Sequence, residues 1–240
     1  MPIELLLTII AVSVIQSIFG VGVLLFGTPI LLLLGYNFVD ALGVLLPVSM
    51  IISTLQVLRH YEDLDKAFYK NVLIYSVPLV VTFLALVTTV KINVTPLIGI
   101  LLILVALKSI LPFIDRKVQA VVKYERLYLM VMGIVHGMSN LGGSLLTVII
   151  YSKHYPKDKT RVTAAASYAT VALCQLLTLL WVGSEFTVPY ADKVTLVQVG
   201  IVIFLLTEEM LYNNIDNEKY GKLFAGFLFI SGTLLIGKSL

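Results

Sequence analysis

Long apolar stretches, separated by short polar segments, make up the pattern of hydrophobic and polar positions along the chain. A helix needs about 20 consecutive apolar residues to cross the hydrocarbon core of a membrane. The stretches that fit one crossing each are 40–58, 71–90, 94–113, 162–183, 194–212 and 221–238. The pattern therefore predicts an all-α polytopic membrane protein.

Two further apolar stretches are interrupted by glycine. Residues 3–34 are too long for one simple crossing, and they contain a break at Gly20–Gly22. Residues 127–150 contain a break within HGMSNLGG (136–143). Glycine is unfavourable in the interior of a helix. Each stretch is therefore predicted to be either one kinked crossing or a broken, re-entrant hairpin of two helices that returns to its starting side.

The composition supports the membrane assignment. Apolar residues make up 59% of the 240 residues and charged residues only 13%, whereas soluble domains carry about 25% charged residues. This length accommodates a membrane body with short loops, without a separate soluble domain. The first apolar run has no preceding Lys or Arg and no cleavage site of small residues, so we expect it to be retained rather than removed as a signal peptide.

The distribution of Lys and Arg discriminates between kinked crossings and hairpins, because cytoplasmic loops are enriched in these residues. With two kinked crossings the loop charges divide nine to seven between the two sides; with two hairpins they divide thirteen to three, leaving aside Lys108 within a span. In the second case the cytoplasmic set is Arg59, Lys66, Lys70, Arg116, Lys117, Lys123, Arg126, Lys153, Lys157, Lys159, Arg161, Lys219 and Lys222. The charges therefore favour the hairpins.

The hairpin arrangement predicts two inverted-topology repeats, each with one broken hairpin followed by three transmembrane helices. The first repeat is expected over 1–113, a basic cytoplasmic linker over 114–126, and the second repeat over 127–240. A shift of 120 residues places Gly22 on Gly142, in line with such a repeat. Inverted repeats are the architecture of many secondary transporters.

The two breaks predict a binding site near the middle of the membrane. Non-helical backbone at that depth is tolerated where protein or a water-filled cavity surrounds it, and in inverted-repeat transporters such breaks mark the substrate site. A new helix starts after each break, and a helix N-terminus attracts anions through its free amides and its dipole. The residues expected to supply these amides are Gly20, Val21, Gly22, Asn140, Gly142 and Gly143.

Neither break contains Lys, Arg, Asp or Glu. Helix ends without carboxylates favour an anion over a cation as the ligand. Ser139, Asn140 and Ser144 can cap the second new helix or contact the ligand through their side chains. The alternative interpretation is that the glycines only kink a helix or allow two helices to pack closely.

Polar side chains within the apolar stretches are the remaining candidates. Gln16, Gln56, His136 and Gln175 are expected to line the anion path, with Ser53 one helical turn from Gln56. Hydrogen bonding between helices is the alternative. His136 could also carry a proton, because histidine titrates near neutral pH.

Two other groups receive simpler interpretations. Glu208 and Glu209 are expected at the membrane interface rather than as proton-coupling sites. Cys174 is the only cysteine, so no disulfide forms within the chain.

Three motifs carry a resemblance to a known family. They are FGVGVLLFGTPILLL (19–33), GIVHGMSNLGGSLLTVIIYSK (133–153) and the small-residue run AAASYATVA (164–172). With these motifs the chain resembles the sulfite exporter TauE/SafE family, also called the sulfonate uptake permease family, over nearly its whole length. The resemblance implies export or uptake of small sulfur-containing anions such as sulfite, sulfoacetate or other organosulfonates.

The expected function is therefore a secondary transporter of a sulfur-containing oxyanion in the plasma or inner membrane, working by alternating access. The alternatives are an anion channel, a transporter of another small anion such as a carboxylate, and a non-transporting scaffold. The absence of GxxxxGK[ST] excludes ATP drive by this chain, and the absence of HExxH and of an Asp deep in a span argues against an intramembrane enzyme. No cofactor and no nucleic-acid partner is expected, and the sequence leaves a homodimer open.

Overall fold

The computed structural model describes residues 1–19, 21–110 and 122–211, and the regular structure within these ranges is helical. The helices are α1 (Ile3–Phe19), α2 (Val23–Leu33), α3 (Phe38–His60), α4 (Lys66–Asn71), α5 (Val77–Val90), α6 (Thr95–Ile110), α7 (Glu125–Ser139), α8 (Gly142–Ser152), α9 (Lys157–Trp181) and α10 (Tyr190–Leu211). A short 3₁₀ turn (Tyr61–Asp63) follows α3, and a π-helix (Val72–Ser76) joins α4 to α5. The prediction of an all-α protein is confirmed for these residues.

The helices follow the apolar stretches of the sequence. Among the described residues, four segments are long and apolar enough to cross a membrane: Phe38–Asp63, Lys66–Val90, Asp158–Trp181 and Tyr190–Glu208. The predicted crossing 221–238 and residues 114–121 of the predicted linker lie outside the described residues, as does Gly20.

Polar residues define several helix ends. The Asn37 side chain caps α3 by accepting a hydrogen bond from the amide of Asp40 at 2.8 Å. Asp65 caps α4 by accepting from the amides of Ala67 and Phe68, both at 3.0 Å. Burial alone would raise the pKa of Asp65, but the hydrogen bonds from Phe68 and Tyr155 hold it below its usual value.

Both broken stretches fold back on themselves. After α2, the Tyr36 hydroxyl donates to the Glu4 carboxylate at the start of α1, at 3.1 Å. After α8, the Lys153 ammonium pairs with the Glu125 carboxylate at the start of α7, at 2.6 Å. Each pair of helices is therefore a hairpin whose two outer ends lie side by side, and neither stretch is one kinked helix.

Helix α10 runs parallel to both α1 and α3. The N-terminal amine lies 3.7 Å from Asp192 at the start of α10, and the hydroxyl of Thr207 near its end donates to Ser17 at 2.8 Å. Between these contacts, Gly200 packs against Val48 of α3. The missing side chain of Gly200 allows this close approach, because a Cβ would lie 2.8 Å from that valine.

Helices α5 and α7 form a second parallel pair. Gly133 packs against the backbone of Ser76, and Gly137, one turn later, packs against the backbone of Val80. A Cβ at either glycine would lie 2.6 or 2.7 Å from a carbonyl oxygen of the neighbouring segment. These glycines therefore allow the two helices to pack closely.

Helices α3 and α9 run antiparallel. At the start of α3, the Asp40 carboxylate accepts from the amide and the hydroxyl of Thr187, beyond the end of α9, both at 2.6 Å. At the other end, Arg59 of α3 and Arg161 of α9 bind the same carboxylate, that of Glu208. Glu208 is buried and holds three helices together, whereas the side chain of Glu209 is not among those described.

Candidate anion-binding site at the helix breaks

The first break brings α1 and α2 into close contact. Gly22 precedes α2, and a Cβ on it would lie 2.9 Å from the Ile15 side chain and 3.1 Å from the backbone nitrogen of Gln16. Val21 is buried beside it, and α2 itself is buried along most of its length. The backbone break is thus enclosed by protein, which is the condition for non-helical backbone within a membrane.

The Gln16 side chain binds the first amide of α2. Its side-chain oxygen accepts from the amide of Val23 at 2.9 Å, and its side-chain nitrogen donates to the Ser53 hydroxyl at 3.0 Å. The side-chain nitrogen of Gln56 lies 3.5 Å from the carbonyl oxygen of Gln16. The amide of Val23, the first residue of α2, is therefore already bound by a glutamine.

The second break is built from a left-handed residue and two serines. Asn140 has a φ of 61° and ends α7 by donating its amide to the His136 carbonyl at 2.8 Å. The Ser139 hydroxyl accepts from the amide of Leu141 at 3.2 Å, and the Ser144 hydroxyl donates to the Leu141 carbonyl at 3.0 Å. Both hydroxyls are thus occupied in shaping the turn. The amides of Gly142 and of the residue after it open α8, so they have no carbonyl one turn earlier in their own helix.

His136 and Gln175 meet next to the start of α8. A nitrogen of the His136 ring lies 3.2 Å from the side-chain oxygen of Gln175, and Gly142 packs directly against the His136 side chain. Gly142 thus contacts His136, as Gly22 contacts the backbone of Gln16 at the first break. Both His136 and Gln175 are buried.

A hydrogen bond joins the second break to the middle of α2 in the first hairpin. The side-chain nitrogen of Asn140 donates to the Thr28 hydroxyl of α2 at 2.9 Å, and both residues are fully buried. Thr28 was not among the residues singled out from the sequence. Because it lies 112 positions from Asn140, nothing local in the sequence indicates the contact.

Several buried polar atoms of the helices have no hydrogen-bond partner among the described residues. They are the side-chain oxygens of Gln56 and Asn140, the side-chain nitrogen of Gln175, and the hydroxyls of Ser13, Ser49, Ser76 and Tyr168. An unpaired buried polar group costs about 1–3 kcal/mol, and such groups in native proteins call for a ligand, water or functional explanation. Of these residues, Asn140 lies at the second break, and Ser76 and Tyr168 line the cavity beside it, which makes this region a candidate binding site.

A small cavity of about 10 Å³ lies at the start of α8. It is bounded by Ser76, Val80, Met132, His136, Gly142, Gly143, Leu146, Ser167, Tyr168 and Val171. This volume is roughly enough for one water molecule. The cavity therefore has room for no more than about one water molecule in this conformation.

Formal charges lie away from the breaks. The buried charged residues in the described part of the chain are Asp40, Arg161 and Glu208, and each lies toward an end of its long helix. The field at the start of α8 thus comes from the helix dipole and free amides, which favour negative charge.

Comparison with known proteins gives one result. The sequence model of the family described as "Sulfite exporter TauE/SafE" matches residues 5–235. Curated proteins and solved structures show no significant match to the chain.

Proposed function

Because the chain belongs to the sulfite exporter TauE/SafE family, we propose that it is a secondary transporter moving a small sulfur-containing oxyanion, sulfite or an organosulfonate, by alternating access. The family and the long apolar helices make the chain a membrane protein. We place it in the plasma or inner membrane as a multi-pass protein.

The observation that carries the proposal is the contact between the second helix break and the helix that follows the first break. The Asn140–Thr28 hydrogen bond joins the second hairpin tip to α2, the side-chain oxygen of Asn140 is unpaired, and the buried charged residues in the described part of the chain lie toward the ends of their helices. Free amides at the start of a helix are an established way to bind an oxyanion. The backbone of Gly142 and Gly143 would hold the anion, and the paired hydroxyls of Ser139 and Ser144 would keep the break in shape.

Helix pairing supports two inverted repeats over 1–113 and 127–240, joined by a linker at 114–126. In such repeats α1 corresponds to α7, α3 to α9, and α5 to α10. The parallel pair α1–α10 then corresponds to the parallel pair α7–α5, and both pairs are present. The helices α3 and α9 are antiparallel, as inversion requires of equivalent helices.

The side-chain contacts near the two breaks are also alike in the two repeats. Gln16, on the first helix of one hairpin, contacts Ser53 and lies near Gln56 of α3. His136, on the first helix of the other hairpin, contacts Gln175 of α9. We propose that these glutamines and Ser53 lie along the anion path. His136 as a proton carrier stays a hypothesis.

Closure of the tips favours a transporter over an open channel. The cavity at α8 holds no more than about one water, so continuous flux through this conformation is blocked there. A channel would show flux that does not saturate and does not respond to a counter-gradient. A carboxylate as substrate is the other alternative, and a competition assay would identify it.

Uptake of labelled sulfite into proteoliposomes, with and without a proton gradient, tests the proposal. Gly142→Ala places a methyl group against His136 at the break, and we expect uptake to fall at least tenfold because α8 can no longer start at the same place. Gly43→Ala is the matched control, because its added methyl group crowds Phe186 near the start of α3, away from the break.

The control should retain uptake when both variants fold, as judged by size-exclusion chromatography and thermal unfolding. Normal uptake by Gly142→Ala would show that the glycine serves packing alone. Absence of wild-type uptake above empty liposomes would exclude sulfite, and methanesulfonate and acetate would then be tested in the same vesicles.

A further inference from the structure

The Tyr168 side chain of α9 lies directly over the start of α8. Its hydroxyl occupies the position that a Cβ would take at Gly143, so only glycine fits beneath it. Its ring packs edge-on against the His136 ring, with 6.4 Å between the centroids and 84° between the planes. Tyr168 is 2% exposed, and its hydroxyl has no hydrogen-bond partner among the described residues.

Ser76 approaches the same cavity from the first half of the chain. It is fully buried, its hydroxyl is unpaired, and it ends the π-helix that joins α4 to α5. Ser167, which also lines the cavity, instead donates its hydroxyl to the Thr163 carbonyl at 2.9 Å. A π-helix within an α-helix is frequent at functional sites, and here it sets the position of an unpaired hydroxyl.

The stability of the closed protein does not explain why positions 168 and 76 carry hydroxyl groups. A phenylalanine at 168 would fill the same space without leaving a polar atom unpaired, and an alanine at 76 would do nearly the same. Tyr128 of α7 differs from both, because its hydroxyl donates to the Leu145 carbonyl at 2.9 Å. Unpaired buried hydroxyls are costly, so a bound state that pairs them accounts for both.

We propose that the hydroxyls of Tyr168 and Ser76 donate hydrogen bonds to the bound anion, together with the amides of Gly142 and Gly143. The inference rests on the proposed function and makes it more specific. The donors come from three separate elements: the start of α8, helix α9, and the segment before α5. Donors from three directions suit the three oxygens of a sulfite or sulfonate group better than the two oxygens of a carboxylate.

The test measures labelled sulfite uptake by proteoliposomes containing Tyr168→Phe or Ser76→Ala, and thermal unfolding of the same variants in detergent. We expect each change to raise the KM for sulfite about tenfold or more, because a hydrogen bond to a charged group contributes about that much affinity. We expect unfolding temperatures equal to or above that of the wild type, because an unpaired buried group is removed.

The matched controls lose a buried hydroxyl that is already paired. They are Tyr128→Phe, and Ser17→Ala in α1, where the Ser17 hydroxyl donates to the Val14 carbonyl at 2.7 Å. We expect both controls to unfold at lower temperature and to keep the wild-type KM. Competition with methanesulfonate and acetate adds a second readout, in which Tyr168→Phe should lose part of the preference for the sulfonate.

Two results would overturn the inference while leaving the proposed function standing. One is a wild-type KM for both Tyr168→Phe and Ser76→Ala in vesicles that transport sulfite. The other is a loss of thermal stability in Tyr168→Phe as large as that in Tyr128→Phe, which would assign the hydroxyl to the fold. Absence of wild-type transport of both sulfite and methanesulfonate would instead reject the proposed function and this inference together.

Discussion

Asn140 fixes the second helix break in two ways, through its backbone conformation and its side chain. Its φ of 61° is left-handed, a conformation that Asn tolerates better than most residues and that Gly adopts freely. Its side chain binds Thr28 of the other hairpin. A glycine at this position keeps the left-handed conformation and loses the side-chain hydrogen bond, whereas an alanine loses both. The two contributions can therefore be separated by substitution.

We expect Asn140→Ala to destabilise the protein by about 2 kcal/mol, from backbone strain and one lost hydrogen bond. Asn140→Gly should cost about half as much, because it loses only the hydrogen bond to Thr28. Reversible unfolding in detergent micelles measures both. Equal destabilisation by the two variants would show that the left-handed conformation is not what demands Asn at this position.

Gln16 illustrates what the sequence does not disclose at the scale of a residue. Its position within an apolar stretch indicates a polar environment, and it is buried. Its partners, however, are the amide of Val23 and the hydroxyl of Ser53, which a chain folded back on itself brings together. Tyr168 is similar, because its role depends on Gly143 lying beneath its hydroxyl. Contacts of this kind follow from tertiary packing rather than from local pattern.

At the scale of elements, the helices and their breaks could be predicted from the sequence. Helix formation depends on local apolar runs, and a break depends on adjacent glycines and a residue that tolerates a left-handed conformation. The observed helices accordingly end at Phe19 and Ser139 and restart at Val23 and Gly142. The π-helix before α5 was not predicted, because its apolar sequence does not differ visibly from that of an α-helix.

Three long helices are held together by one carboxylate, that of Glu208. Arg59 of α3 and Arg161 of α9 both bind this group on α10. Glu208 and Arg161 are almost fully buried, whereas half of the Arg59 side chain is exposed. Removing the carboxylate deprives the buried Arg161 guanidinium of this ion pair, which is more costly than losing a surface pair.

We expect Glu208→Gln to destabilise the protein by about 3 kcal/mol, mainly through Arg161. The matched control is Glu62→Gln, an exposed glutamate in the turn after α3, which should change stability by less than about 0.5 kcal/mol. Thermal unfolding in detergent compares the two. A Glu208 variant as stable as the control would show that α3, α9 and α10 are held by apolar packing alone.

At the scale of the whole molecule, the directions of the helices agree with the distribution of charge. The contacts that make α1, α3 and α10 parallel, and α9 antiparallel to α3, require each broken stretch to return to its starting side. The Lys and Arg count favours the same arrangement without any structural information. The helix directions and the charge distribution therefore support one topology.

Labelling of single cysteines tests this topology directly. With hairpins, Glu62 and Pro156 lie on the cytoplasmic side and Glu185 on the opposite side; with two kinked crossings, Glu62 and Glu185 would share a side and Pro156 would lie on the other. All three positions are exposed. In a background where Cys174 is replaced by alanine, a membrane-impermeant thiol reagent should label Glu185→Cys in intact cells. It should label Glu62→Cys and Pro156→Cys only after permeabilisation. Labelling of Glu62→Cys and Glu185→Cys from the same side would reject the inverted repeats.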